Sequence, residues 1–160
     1  MNSIETPIPG LLILEPRVFN DDRGYFFESF HQEKYSEAGI KMAFVQDNES
    51  KSVRGVVRGL HYQLGADSQA KLVRVVQGSV YDVAVDLRKG SSTFGKWFGV
   101  ELTGENKKQL FVPRGFAHGF SVLSETAILT YKCDNVYQQK AERSINPFDK
   151  KLAIDWMLED

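Results

Sequence analysis

From residue 71 onward, apolar and polar positions alternate in short runs. Residues 71–77, 79–87, 96–102 and 109–112 form four such runs, separated by Gly, Ser, Thr or Asn turns. After Pro113-Arg114-Gly115 come two more, 116–123 and 126–134. A period of two predicts strands, because successive side chains in an extended chain point to opposite faces. Short strands at this spacing predict a β-sandwich or a small barrel. The first half is less regular. Residues 4–14 hold two prolines and Gly10 before Leu-Leu-Ile-Leu, which reads as a turn and then a strand. Residues 16–19 continue extended, and Asn20-Asp21-Asp22-Arg23-Gly24 is turn chemistry. Residues 25–30 read as a strand with aromatics on both faces, and 32–38 as a short helix ending at Gly39. Residues 44–48 read as a short strand ending in three polar side chains, and the C-terminal tail, with Pro147 and Trp156, as irregular.

Alternation also assigns faces. His61 and Gln63 share one, and so do Lys71, Val73 and Val75. Asp82, Ala84 and Asp86 oppose Tyr81, Val83, Val85 and Leu87. Two carboxylates on one face of an otherwise apolar strand imply that this face lines a polar cavity or meets water. Arg58 has the opposite parity to His61 unless Gly59 breaks the strand.

Composition narrows the class. A chain of 160 residues suits one domain, 1–160, with a sizeable core. The formal net charge of −1 argues against nucleic acid as the main partner. A single cysteine, Cys133, excludes an intramolecular disulfide and fits a reducing compartment; a buried, inert thiol is its default role. No apolar run approaches the roughly 18 residues of a membrane span, and the N-terminus lacks a secretory signal. The expectation is a cytoplasmic protein without nucleic-acid or membrane partners.

The chemistry concentrates between Gly55 and Gly78. In the cupin family the first motif runs G-x5-H-x-H, a spacer, then E-x6-G. Here Gly55 precedes His61 correctly, but Gln63 occupies the second histidine position and Lys71 the glutamate position. A divalent metal wants imidazoles and a carboxylate; an ammonium among its ligands would repel it. No metal is therefore expected. His61 suits proton transfer near neutral pH, and Lys71 suits stabilising charge on a developing oxyanion. Pro113-Arg114-Gly115-Phe116-Ala117-His118 matches the second cupin motif, P-x-G-x2-H. His118 is then a substrate contact, a partner of His61 or a relic of a metal site. Tyr131 would give or take a proton if it points inward. Arg23, Arg58 and Lys71 could form an anion site for phosphates. Phe19, Phe26 and Phe27 could stack a base or fill the core.

Seven segments together resemble the dTDP-4-dehydrorhamnose 3,5-epimerase family over nearly the whole chain. They are Leu-Glu-Pro-Arg-Val-Phe, Asp-Arg-Gly-Tyr-Phe-Phe-Glu-Ser, Phe-Val-Gln-Asp-Asn, Arg-Gly-Leu-His-Tyr-Gln, Lys-Leu-Val-Arg, Asp-Val-Ala-Val-Asp-Leu-Arg and Pro-Arg-Gly-Phe-Ala-His-Gly-Phe. The resemblance implies an all-β fold, a cupin-type double-stranded β-helix (jelly roll) with one or two short helices. It implies an isomerase that needs no metal, no nicotinamide and no other cofactor, converting dTDP-4-keto-6-deoxy-D-glucose to dTDP-4-keto-L-rhamnose. His61 falls on the family's proton-abstracting histidine, Tyr131 on its proton-donating tyrosine and Lys71 on the lysine beside the C4 carbonyl. Arg23, Glu28, Gln46, Asp47, Asn48, Arg58, His118 and Glu142 fall in substrate-contact segments. Phe19 and Phe26 fall where the family sets aromatics against thymine, partly from a partner subunit, in a homodimer built by strand exchange.

The expected departure is at the C-terminus. The family continues past Trp156 into a tail whose aspartate orients the base histidine; this sequence ends at Asp160. Either the chain is truncated there, or another acid substitutes, Asp82 being the candidate. A single-carbon epimerase, a sugar-nucleotide-binding cupin without catalysis and a metal-dependent cupin oxygenase are the rival readings, the last opposed by Gln63 and Lys71.

Overall fold

The alternating half of the chain folds as its pattern predicts. The computed structural model describes residues 1–159; Asp160, where the expected tail breaks off, lies outside the described residues. The elements in order are β1 (Asn2–Glu5), β2 (Leu12–Glu15), β3 (Val18–Asp21), β4 (Gly24–Phe27), α1 (Gln32–Glu37), β5 (Gln46–Val53), β6 (Val57–Gln63), β7 (Lys71–Gln77), β8 (Ser79–Asp86), β9 (Trp97–Thr103), β10 (Gln109–Val112), β11 (Phe116–Val122), β12 (Thr126–Cys133) and β13 (Glu142–Ser144). Two short 3-10 turns, Gly65–Asp67 and Gln139–Ala141, join them.

A six-stranded sheet has the order β1-β2-β10-β7-β12-β5, and a five-stranded sheet β13-β6-β11-β8-β9. Their strands are antiparallel. From β5 to β8, and again from β10 to β12, the chain passes back and forth between the sheets. That winding makes the fold a cupin-type jelly roll. The β3–β4 hairpin stands apart as a two-stranded ribbon.

Three apolar clusters follow from the strand faces. Val73, Val75, Val80, Ala84, Leu110, Phe120 and Leu129 fill the space between the sheets. Leu14, Leu72 and Phe111, on the outer face of the six-stranded sheet, are covered by Tyr35 of α1 and by Ile40. Leu60, Val83, Val85 and Ala117, on the outer face of the other sheet, are covered by the tail through Trp156, Ile154 and Leu152. Each fully buried Leu or Val contributes about 1.5 to 3 kcal/mol. Hydrogen bonds fasten the tail: Ser121 Oγ donates to Trp156 O at 2.6 Å, and Trp97 Nε1 to Leu152 O at 2.9 Å.

Helix α1 starts at His31, whose Nδ1 accepts the Lys34 N–H at 3.3 Å. It stops at Gly39, where φ is 101°, a left-handed conformation that glycine adopts freely.

Some boundaries differ from expectation. The short strand at 44–48 is instead the eight-residue β5. It is an edge strand that is polar on both faces, so hydrophobic alternation is missing there. Likewise β13 is held by backbone pairing with β6 and carries no apolar signal of its own. The strand expected at 25–30 ends at Phe27, after which Phe30 packs against Tyr35 and Phe44. Asp82 and Asp86 do share a face, and both are fully buried with partners of their own rather than facing water.

Candidate active site

The site begins with a backbone irregularity. Strand β6 pairs with β11, His61 opposite His118, but the register shifts before Arg58 pairs with Phe120. At the shift, Gly59 has φ 119°, and a Cβ there would lie 2.6 Å from Gly119 Cα. Glycine is required on both grounds. The shift resolves the parity problem: Arg58 and His61, three residues apart, line the same cavity.

That cavity has a volume of about 290 Å³ and lies between the sheets. The five-stranded sheet contributes Arg58, His61, Gln63, His118 and Glu142; the other contributes Gln46, Asn48, Lys71 and Tyr131. His61 is half-exposed to the cavity. Burial pulls its pKa below the ordinary value, and the neighbouring Lys71, His118 and Arg58 add to this, while Glu142 opposes it. A pKa below the ordinary histidine value leaves the imidazole mostly neutral near pH 7. Glu142 Oε1 stands 3.9 Å from His61 Nδ1.

Lys71 and Tyr131 face His61 from the opposite sheet. Burial lowers the pKa of the Lys71 ammonium, countered by nearby Asp82 and Glu142. Its Nζ lies 5.6 Å from the centre of the Tyr131 ring. Burial raises the Tyr131 phenol, outweighing the Asn48 amide beside it. Tyr131 thus keeps its proton near neutral pH.

Asp82 does not serve His61, contrary to expectation. Its Oδ1 lies 2.8 Å from His118 Nε2, both groups being buried. On the neighbouring strand β8, Asp82 is paired with Phe120, so it sits diagonal to His118 and within its reach. Of the alternatives left open for His118, the structure gives it a carboxylate partner of its own at the cavity wall.

Arg58 is oriented from the other sheet: its Nε donates to Ser52 Oγ at 2.7 Å. The remaining guanidinium edge is available to an anion.

Tyr137 carries no motif and escaped the sequence reading. It is 49% exposed at the cavity mouth. Its hydroxyl donates to Glu142 Oε2 at 2.5 Å, and its N–H to Gln46 Oε1 at 2.9 Å. The Gln46 amide also donates to Asn48 Oδ1 at 3.1 Å, so Gln46 is largely occupied within the protein. The only usable signal was an aromatic next to the last clear strand.

Five expected site residues lie elsewhere. Phe19, Arg23 and Phe26 are on the exposed β3–β4 hairpin, where Arg23 pairs with Asp21 at 2.7 Å. Glu28, just beyond it, pairs with Lys34 at 2.5 Å and shares a surface hollow with Phe19. Asp47 is on the other face of β5 from Asn48 and pairs with Lys132 at 3.0 Å. Cys133 is buried beside Asn48, and burial pushes its thiol up to about 11.

No three His, Cys, Asp or Glu side chains converge as a metal-ligand set among the described residues. Gln63, at the metal-ligand position, spends its amide on backbone groups. Among the described residues, no helix is long and apolar enough to cross a membrane.

A jelly roll whose cavity sets His61, Gln63, Lys71 and His118 at the metal-ligand positions of the motif defines a cupin with an altered ligand set. A sequence model described as dTDP-4-dehydrorhamnose 3,5-epimerase matches residues 5–160. The dTDP-4-dehydrorhamnose 3,5-epimerase of Shigella flexneri is 57% identical, over 100% of this chain and 89% of the relative. A Legionella pneumophila 3,5-epimerase solved with dTDP-4-keto-L-rhamnose is 54% identical, with a TM-score of 0.96 over 99% of this chain and 85% of that one. A Bacillus anthracis 3,5-epimerase solved with TDP and pyrophosphate is 45% identical, with a TM-score of 0.96 over 99% of this chain and 91% of that one. The chain belongs to the dTDP-4-dehydrorhamnose 3,5-epimerase family and is an isomerase.

Proposed function

We propose that the chain epimerises dTDP-4-keto-6-deoxy-D-glucose at C3 and C5, giving dTDP-4-keto-L-rhamnose in dTDP-L-rhamnose biosynthesis. One observation carries the mechanism: the base candidate and the acid candidate come from opposite sheets and face one cavity. Inversion needs a proton removed from one face of the sugar and returned to the other.

The 4-keto group acidifies the C–H bonds at C3 and C5, because the carbanion formed at either is an enolate. His61 removes the proton and becomes an imidazolium. Lys71 stabilises the enolate oxygen. Tyr131 returns a proton from the opposite face. The sequence repeats at the second carbon. Arg58 and His118 hold the diphosphate, Asn48 and Glu142 contact the sugar, and the exposed ring of Tyr137 offers a platform for the thymine.

The working unit in this reading is a homodimer. The β3–β4 hairpin would carry Phe19, Arg23 and Phe26, with Glu28 beside it, into the partner's cavity. Exposed aromatics and an arginine on a projecting ribbon suit that role. Asp47 is left out of the contact set, since its carboxylate points away from the cavity. A diphosphate sugar does not cross a bilayer unaided, which favours a cytoplasmic site of action.

The test is deuterium exchange. The chain is incubated with dTDP-4-keto-6-deoxyglucose in deuterium oxide, and C3 and C5 are followed by NMR. Label at both carbons, abolished by His61→Ala, is expected. Label at one carbon only would identify a mono-epimerase. No label despite bound dTDP would identify a nucleotide-binding cupin.

A further inference from the structure

Gln63 occupies the place of a metal ligand and does a different job. Its side chain is buried. Its Nε2 donates to Asp67 O at 2.6 Å and to Val136 O at 3.3 Å, and its Oε1 accepts the Gln138 N–H at 2.8 Å. The two bonds to Val136 and Gln138 bracket Tyr137, which lies between them in sequence. A carboxamide offers two N–H donors and one carbonyl acceptor on one planar group. A histidine has two ring nitrogens and could not make all three bonds. Neighbouring contacts tie the same loop to the same turn: Asn135 Nδ2 donates to Ala66 O at 3.0 Å, and Gln69 Nε2 to Asn135 O at 2.9 Å. Tyr137 is then held at its own N–H by Gln46 and at its hydroxyl by Glu142, leaving the ring open to the cavity.

We infer that Gln63 is a positioning residue for nucleobase recognition: its carboxamide fixes the 136–138 segment so that Tyr137 presents its ring to the base. The inference rests on the nucleotide-sugar reading of the cavity. It assigns the amide at a metal-ligand position to substrate affinity, at a distance from the reacting carbons.

The test compares two ligands on the full chain by calorimetry. One is dTDP, which has a base; the other is inorganic pyrophosphate, which has none. Gln63→Met should weaken dTDP binding about tenfold, the scale of one lost stacking contact, and leave pyrophosphate within about twofold. KM for the nucleotide sugar should rise with kcat held within about twofold. Tyr137→Ala should lose the same dTDP preference, and adding Gln63→Met to it should cost no further dTDP affinity. Equal weakening of both ligands, or of neither, would overturn the inference. If Gln63→Met does not fold, hydrogen exchange on the unmodified chain decides. The Tyr137 and Gln138 amides should be protected, and further so by dTDP but not by pyrophosphate; exchange at the unprotected rate overturns the proposal. An unmodified chain that binds dTDP no better than pyrophosphate would instead remove the nucleotide-sugar reading itself.

Discussion

His118 Nε2 and Asp82 Oδ1 are 2.8 Å apart, and Asp82 is fully buried. The second carboxylate oxygen, Oδ2, is buried with no hydrogen-bonding partner among the described residues. The imidazole is thus the one hydrogen-bonding partner of this carboxylate among the described residues. Removing one member of a buried pair costs about 3 to 5 kcal/mol, because the other stays buried alone. His118→Ala should therefore lose stability on that scale in urea unfolding. The double change His118→Ala with Asp82→Ala should lose less than the sum of the two single changes.

The pH profile should report His61. Its pKa is depressed chiefly by burial, so the neutral, proton-accepting form persists below the ordinary histidine range. Activity should fall only when pH drops through that lowered value. Glu142 pushes the pKa the other way. Glu142→Gln should therefore move the acid limb of kcat/KM to still lower pH. A limb that moves up, or stays fixed, would separate it from His61.

Tyr131→Phe separates exchange from inversion. The ring and its packing remain, while the proton held by the raised phenol is lost. Inversion should fall by about a hundred- to ten-thousandfold, the usual contribution of a general acid. Solvent deuterium should still enter through His61, on the face from which the proton left. Parallel loss of both signals would count against the assigned roles.

Asp86 predicts an acid sensitivity outside the site. Burial pushes its pKa up, but hydrogen bonds from the Arg88 side chain, Ser91 Oγ, Thr93 Oγ1 and the Arg88 N–H outweigh this and hold it well below the carboxylate range. A depressed folded pKa stabilises the fold above the unfolded value, about 3.9, and that stability is lost as pH falls below it. Asp86→Asn should lower the midpoint of thermal unfolding at pH 7 and flatten its acid dependence.

Much of this was legible in the sequence, for identifiable reasons. The strands from 71 to 134 announced themselves because most have an apolar face. Alternation alone put Lys71 on one face with Val73 and Val75, while Leu72 makes the opposite face apolar too, so which face is inner was not legible. His61 and His118 were legible as motif residues. The pairing of Asp82 with His118 was not, because it depends on which strands become neighbours, and alternation within one strand carries no such information. Arg58 was left with the wrong parity until the register shift at Gly59 was seen. Tyr137 was missed because a loop aromatic gains its place through its own bonds to Gln46 and Glu142 and those of its neighbours Val136 and Gln138 to Gln63, which lie on other elements.

The close approach of Gly59 and Gly119 has a consequence for how the site can change. A Cβ at Gly59 would lie 2.6 Å from Gly119 Cα, and one at Gly119 would lie 2.6 Å from Arg58 O. Neither position accepts a side chain unless the two strands separate. Separation would carry Arg58, His61 and His118 with it, since all three lie on those strands. One wall of the cavity therefore behaves as a single casting. Altered sugar preference is open to changes at Asn48 or Ser50, which line the cavity from the edge strand β5, but not along this crossing.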